Sequence, residues 1–535
     1  MPTRMTIQTV SSEPIHACRF IIASNRGPVE YQLSHDKTLK PRRGPGGMVK
    51  ALIEAASRMK TTWVAMAMTE GDRIAVKEAQ QKDGLLPSSL SGHKMQLRYV
   101  AISKAAYGKH YGKISNQLLW FLQHYMYNPT EDSASIRQVQ DAWTNGYCVA
   151  NQAIADAINA EIDREDGSVV VMLHDYHLYL AASMIRQRHP SVVIQQFIHI
   201  PWPDVRCWHF LPSNITQAIY SGLVGNDIVG FQTERDARNF IEGARTLLDG
   251  AVVDFEEGTI KWQGHCTHVR AYPISISVTS ERRAIRSLAG KRAAEQLLPW
   301  LSEKTIMRVD RIEPTKNIVR GFQAYAEMLD EHPDLLGQVT FLAFLVPSRQ
   351  SVPIYKRYKA EVVKVIKEIN QKYGTDHWKP IHAFYGNDWV RALAAMRFYD
   401  VLLVNPIVDG MNLVAKEGSV VNERNGVLVL SRTVGAFQQL GKFSVPTSPT
   451  DTAETAQALY KALTLPPEER CIKATLARQA VEQYDLKHWL KRQMQDIQDI
   501  YESLDAASFP TNEPAASFPA DEPGEVLLVL AGTAG

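Results

Sequence analysis

At 535 residues the chain exceeds one ordinary domain, and 59 Lys and Arg against 57 Asp and Glu leave a net charge of +2. That balance gives no electrostatic reason to expect nucleic acid or an anionic membrane as the main partner, so any basic site must be local. Five scattered cysteines, Cys18, Cys148, Cys207, Cys266 and Cys471, form no C-x-x-C pair and no disulfide-like density, which fits a reducing, cytoplasmic address. The N-terminal twenty residues hold no signal-peptide core, and no apolar run approaches the roughly 18 residues that span a bilayer. A soluble protein is expected.

In chain order, the turn "GPGGMVKAL", Gly44 to Leu52, precedes an amphipathic stretch. It suits either a tight bend or a loop in which Gly46 and Gly47 let backbone N–H groups approach a phosphate. Val49 stands at the third glycine position of G-x-G-x-x-G, so a nicotinamide or flavin dinucleotide site is poorly supported. From about residue 168, short β-branched runs alternate with longer amphipathic segments. The runs are "SVVVMLHD", "SVVIQQFIHIPWP", "KTIMRVD", "VTFLAFLVPS", "PIHAFYG", "DVLLVNP" and "GVLVLS". Runs apolar on both faces and separated by helices read as parallel, doubly wound sheets, an α/β class, and the length accommodates two.

A domain boundary is placed near residue 278, after "HVRAYPISIS", giving 1–278 and 279–484 as the two halves. The stretch "DLKHWLKRQMQDIQDIYESL", 485–504, has helical period. Residues 505–535 open with the near-repeat "AASFPTNEP" and "AASFPADEP" and are read as a disordered Ala/Pro-rich tail, apolar only at "EVLLVLAG".

Ligands of open parallel sheets bind beyond the carboxyl ends of the strands. There the sequence places His174, Asp175 and His177, then His199, Arg311 and Lys316, Ser348 and Arg349, Asp409 and Glu417. One such residue is more often a cap than a catalyst, and Arg311 with Lys316 alone fits a surface turn as well as an anion clamp. Five strand ends carrying such groups indicate a cleft. No G-x-S-x-G elbow, P-loop, H-E-x-x-H or Asp-x-Asp pair occurs, and "HDYH" lacks an obvious third ligand, so neither a metal nor another cofactor is expected.

Taken as a set, "SNRGPV", "GPGGMVKAL", "YGKISNQLLW", "LHDYHL", "FIHIPWP", "GFQTERDARNF", "DRIEPTKN" and "DGMNLVAKE" resemble the trehalose-6-phosphate synthase family, glycosyltransferase family 20, over roughly residues 18 to 500. The resemblance implies a GT-B architecture of two Rossmann-like halves. The acceptor would lie mainly in the N-terminal half and the nucleoside diphosphate sugar in the C-terminal half, with the last helix crossing back. It implies a retaining, metal-independent transfer of a hexosyl group to a phosphorylated sugar.

Carried over by residue, Arg311 and Lys316 resemble the donor diphosphate clamp, with Gly46 and Gly47 looped over the same phosphates. Asp409, Gly410, Met411, Asn412, Leu413 and Val414 resemble the segment holding the donor, with His199 reaching its sugar. Glu417 resembles the carboxylate that accepts the ribose hydroxyls, and Arg397 sits where the nucleobase is approached. Arg26, Tyr111 and Arg349 match the grip on the acceptor phosphate, Asp175 the carboxylate that orients the acceptor, and Trp120 the ring beside it.

The sequence also departs from the family pattern. "WVAM", Trp63 to Met66, stands for W-F-G-W and loses an indole; in "RIEPTKN", Pro314 and Asn317 replace Tyr and Gly. "VNERNG" diverges as well, and these features lean toward the validoxylamine 7'-phosphate synthase branch. Three readings follow. The first is trehalose 6-phosphate synthesis from UDP- or GDP-glucose and glucose 6-phosphate. The second is the same fold making glucosylglycerol phosphate or a pseudo-disaccharide phosphate. The third is a catalytically silent sugar-phosphate sensor, against which Arg311, Lys316, Asp409 and Glu417 argue. The donor nucleobase and homo-oligomerisation stay open.

Overall fold

The computed structural model describes residues 18–34, 38–44, 49, 52–53, 56, 59–80, 83–87, 95–129, 135–350 and 352–507. Among these, two large sheets carry the fold. The first is built around Arg19–Ser24, whose "RFIIAS" is buried on both faces. Parallel strands Thr61–Met66 and Met95–Val100 are laid down on one side of it. The chain then returns to the other side with Val169–His174, Val193–Phe197, Ile228–Phe231 and His265–Ala271. An antiparallel hairpin, Val252–Asp254 with Thr259–Trp262, extends that edge.

The second sheet repeats the plan. Lys304–Ile312 comes first and lies centrally; Val339–Pro347 and Ile381–Tyr385 follow on one side, then Val401–Val404, Val427–Ser431 and Val445–Thr447 on the other, all parallel. Each strand expected from an apolar run after residue 168 is present. The strands before it, the edge hairpin, and Ile228–Phe231, His265–Ala271 and Val445–Thr447 were not anticipated: they are short, or carry polar and aromatic residues that interrupt the apolar pattern.

In each sheet the winding reverses beside the first strand, and such a switch point opens a crevice at the carboxyl ends. One crevice lies between Arg19–Ser24 and Val169–His174, the other between Lys304–Ile312 and Val401–Val404. An apolar cluster containing Ile22, Met172, Ile274, Met307, Leu402, Trp489 and Ile497 runs between the two sheets. The last helix, Leu486–Ala507, lies against the first sheet. Trp489 Nε1 donates to the Tyr272 carbonyl at 3.1 Å, and Gln195 Nε2 donates to Gln493 Oε1 at 2.8 Å. The tail expected to be disordered lies outside the described residues from 508 onward, and so does the glycine pair Gly46 and Gly47. No helix among the described residues is long and apolar enough to cross a membrane.

Candidate active site

The crevice of the second sheet is shaped from a buried cation. Arg308, 0% exposed, points from strand Lys304–Ile312 toward the loop that follows it. Its guanidinium pairs with Asp310 at 2.8 Å and donates to the carbonyls of Lys316 at 3.0 Å and Ile318 at 3.3 Å. Pro314 opens a single 3₁₀ turn, Pro314–Lys316, and Asn317 takes the left-handed conformation at φ 55° before helix Ile318–Glu331 begins. That backbone suits Gly or Asn, so Asn317 is compatible with a position where the family pattern has glycine.

This turn presents Lys316 to Asp409, with which it makes a short ion pair. Asn412 Nδ2 also donates to Asp409, at 3.1 Å. Burial pushes the Asp409 carboxyl up, but the charge and hydrogen bond of Lys316, with Asn412, hold it below the ordinary range. Asn412, at φ 74°, caps helix Leu413–Val421 by accepting from the Ala415 N–H at 3.1 Å. Leu413 and Val414 therefore sit in its first turn, where backbone N–H groups and the helix dipole favour an anion, and Glu417 lies half-buried one turn on. Met411 is buried. Gly410 is needed as glycine, because a Cβ there would stand 2.4 Å from the His199 carbonyl oxygen. The loop after the second sheet's fourth strand thus touches the loop after the first sheet's fifth.

At the first crevice Asp175 follows Val169–His174 with φ 74°. Its Oδ1 accepts from the His199 N–H at 3.4 Å. Burial drives its carboxyl up to about 7, against the N–H groups of Tyr176 and His199 and the charges of Arg349 and Arg311. His199 Nε2 faces His174 Nδ1 at 3.3 Å, and burial, with His174 beside it, holds His199 well below the ordinary imidazole range. Tyr111 stacks on Tyr107 at 5.5 Å and on His177 at 5.9 Å. Burial first, then the charges of His110, Arg349 and Arg26, hold His177 well below the ordinary imidazole range. Arg26 pairs with Glu30 at 3.5 Å. The two histidines of "HDYH" serve separate contacts, His174 with His199 and His177 with Tyr111.

The crevices meet at Trp120. Arg349, whose backbone is left-handed at φ 43°, lies 4.1 Å above the Trp120 ring, and Arg311 lies 5.6 Å from it. Arg349 donates to Tyr355 Oη at 2.8 Å and Tyr176 Oη at 3.2 Å. Beneath both guanidiniums sits Glu313, fully buried, with its Oε1 2.9 Å from Arg311 and 3.3 Å from Arg349. Neither Glu313 nor Arg308 is among the site residues that the sequence marks. Their one advance signal was position, on either side of Arg311 at a strand end. Arg397, expected near the nucleobase, is joined to Glu423 by two contacts of 2.9 Å.

The resulting site carries four cations on three carboxylates: Lys316 pairs with Asp409, Arg26 with Glu30, and Arg311 and Arg349 share Glu313. Anionic ligands at two neighbouring places can draw on these cations. The model of glycosyltransferase family 20 matches residues 18–499. The 56 kDa subunit of the alpha,alpha-trehalose-phosphate synthase (UDP-forming) of Kluyveromyces lactis is 31% identical over 503 residues, 91% of this chain and 97% of that protein. Validamine 7-phosphate valienyltransferase of Streptomyces hygroscopicus subsp. jinggangensis is 28% identical over 480 residues, 89% and 93% of the respective chains. A solved trehalose-6-phosphate structure from E. coli bound with UDP-2-fluoro glucose superposes with a TM-score of 0.77 at 25% identity, covering 90% of this chain and 99% of that one. The chain belongs to glycosyltransferase family 20 and is a glycosyltransferase of the GT-B fold.

Proposed function

We propose that the protein transfers glucose from a nucleoside diphosphate glucose, UDP or GDP, to glucose 6-phosphate, giving trehalose 6-phosphate with retention of anomeric configuration. The observation that carries this reading is the meeting of two cationic crevices at Trp120, one holding Arg311 and Lys316, the other Arg349, with Tyr111 stacked on His177 and the charge of Arg26 felt at that imidazole. In this reading the first takes the donor diphosphate and the second the acceptor phosphate. Asp409 to Val414 and His199 hold the donor sugar and phosphates, and Glu417 takes the ribose hydroxyls.

The bond between the anomeric carbon and the diphosphate oxygen breaks as the acceptor hydroxyl oxygen bonds to that carbon from the same face. The hydroxyl proton passes to the departing phosphate oxygen. Charge grows on the leaving group, so cations fixed at Arg311 and Lys316 stabilise the transition state more than the ground state. No carboxylate nucleophile is required, and catalysis is mainly positioning and electrostatics. Asp175 orients the acceptor.

A second reading, transfer to an amino-cyclitol phosphate or another phosphorylated acceptor, is favoured by the relative that is a valienyltransferase and by Met66. The latter is buried where the family pattern has an indole. Release of UDP or GDP, measured with UDP- and GDP-glucose against glucose 6-phosphate and glycerol 3-phosphate, decides. Release with glucose 6-phosphate is expected. Release only with another acceptor overturns the first reading in favour of the second, and silence across a broad panel that includes amino-cyclitol phosphates, with sugar-phosphate binding intact, overturns both in favour of a sensor.

A further inference from the structure

We propose that Glu313 is a positioning residue that ties the donor clamp to the acceptor grip, holding Arg311 and Arg349 at a fixed separation through one shared carboxylate oxygen. This rests on the functional reading above.

Glu313 follows strand Lys304–Ile312, and Ser348 and Arg349 follow the neighbouring parallel strand Val339–Pro347, with Ile312 in register with Pro347. The two chains therefore leave the sheet side by side. Glu313 Oε1 accepts from Ser348 Oγ at 2.7 Å and lies 2.9 Å from Arg311 Nη1 and 3.3 Å from Arg349 Nη1. Its Oε2 is buried with no hydrogen-bond partner among the described residues. The charges of Arg311 and Arg349 hold the carboxyl ionised despite its burial. Arg311 keeps 47% of its side chain exposed while Glu313 exposes none, so one nitrogen of that guanidinium is held by the carboxylate while the side chain stays open to solvent.

Stability alone is a poor reason for such a group. A buried carboxylate between cations loses much of its Coulombic gain to desolvation, and apolar replacements of such clusters are often neutral or stabilising. Beside sites for two anions it also lowers their affinity. What it supplies is geometry. A guanidinium has five donors in a rigid fork, and fixing one edge on a carboxylate fixes where the rest point. With both Arg311 and Arg349 tied to one atom, the separation of the two bound phosphates, and hence of donor carbon and acceptor hydroxyl, is set before either ligand arrives.

The test compares wild type with E313Q and E313D. Nucleotide release gives kcat and KM, and calorimetry gives the affinities for UDP and inorganic phosphate. E313Q is expected to lose about 10²-fold in kcat, the scale on which small misplacements of reacting groups act. Its KM for the phosphorylated acceptor and its phosphate affinity are expected to stay at wild-type values or tighten, because a negative charge has left the site. E313D, which keeps the charge but shortens the side chain by one methylene, is expected to lose about tenfold in kcat against wild type with phosphate affinity unchanged, and an unchanged kcat in it overturns the proposal if E313Q does not fold. Unchanged kcat in E313Q, or a loss seen only as weaker phosphate binding, overturns the proposal. A wild type that releases no nucleotide with any donor and acceptor pair defeats the functional reading instead. The binding arm then decides alone: phosphate affinity in E313Q equal to or above wild type supports the positioning role, and a weaker one overturns it.

Discussion

Asp175 combines a left-handed backbone at φ 74° with a carboxyl that burial raises to about 7, and both features work against the folded state. A group whose folded pKa is raised adds stability below its unfolded value, near 4, and loses it as pH rises to about 7. Replacing Asp175 by Asn removes the cost of burying the charge. D175N is therefore expected to be more stable than wild type at pH 8, by up to about 4 kcal/mol, with no difference at pH 3, while nucleotide release falls. Urea midpoints at the two pH values check this, and an equal difference at both would contradict it. At this scale the sequence shows the polar residues that end apolar strands, which is why Arg311, Lys316, Asp175 and Asp409 stand out. It does not show Glu313, because a carboxylate next to Pro314 reads as a solvated turn until a neighbouring strand brings Arg349 over it. Nor does it show that Arg397 answers to Glu423, 26 residues away.

Among the elements, the turn between strand Lys304–Ile312 and helix Ile318–Glu331 is the most constrained. Asn317 holds φ 55° and donates from Nδ2 to the carbonyls of Asn405 at 3.0 Å and Pro449 at 2.6 Å. Alanine forfeits both hydrogen bonds, about 1 kcal/mol each, and strains the backbone by a further 1–2 kcal/mol or about that. Glycine forfeits the hydrogen bonds alone. N317A is expected to lose about 3 kcal/mol and N317G about 1 kcal/mol less, measured by urea denaturation. If glycine is no better than alanine, the left-handed backbone is not what the position demands. The strands of this sheet were legible because burial on both faces leaves continuous apolar runs such as "VLLV" and "VLVL". The first sheet's opening strands were not, since "RFIIAS" and "TTWVAM" carry polar or aromatic residues that blur the pattern.

At the scale of the whole molecule, two sheets wound in the same sense place their switch points face to face, and an apolar cluster with the helix Leu486–Ala507 runs between them. The alternation of runs and amphipathic segments foretold two doubly wound sheets. It could not foretell how they meet, which depends on Gly410 against His199, Lys416 donating to the Ile274 carbonyl at 2.7 Å, and Trp489 under Tyr272. All are contacts between residues far apart in the chain. That meeting is what makes Arg311 more than a surface charge. The most direct measurement is the rate of nucleoside diphosphate release at saturating donor and acceptor for Arg311→Ala beside wild type. A fixed cation on the leaving diphosphate predicts a fall in kcat of about 10²-fold or more; turnover close to wild type would contradict the assignment of this cleft.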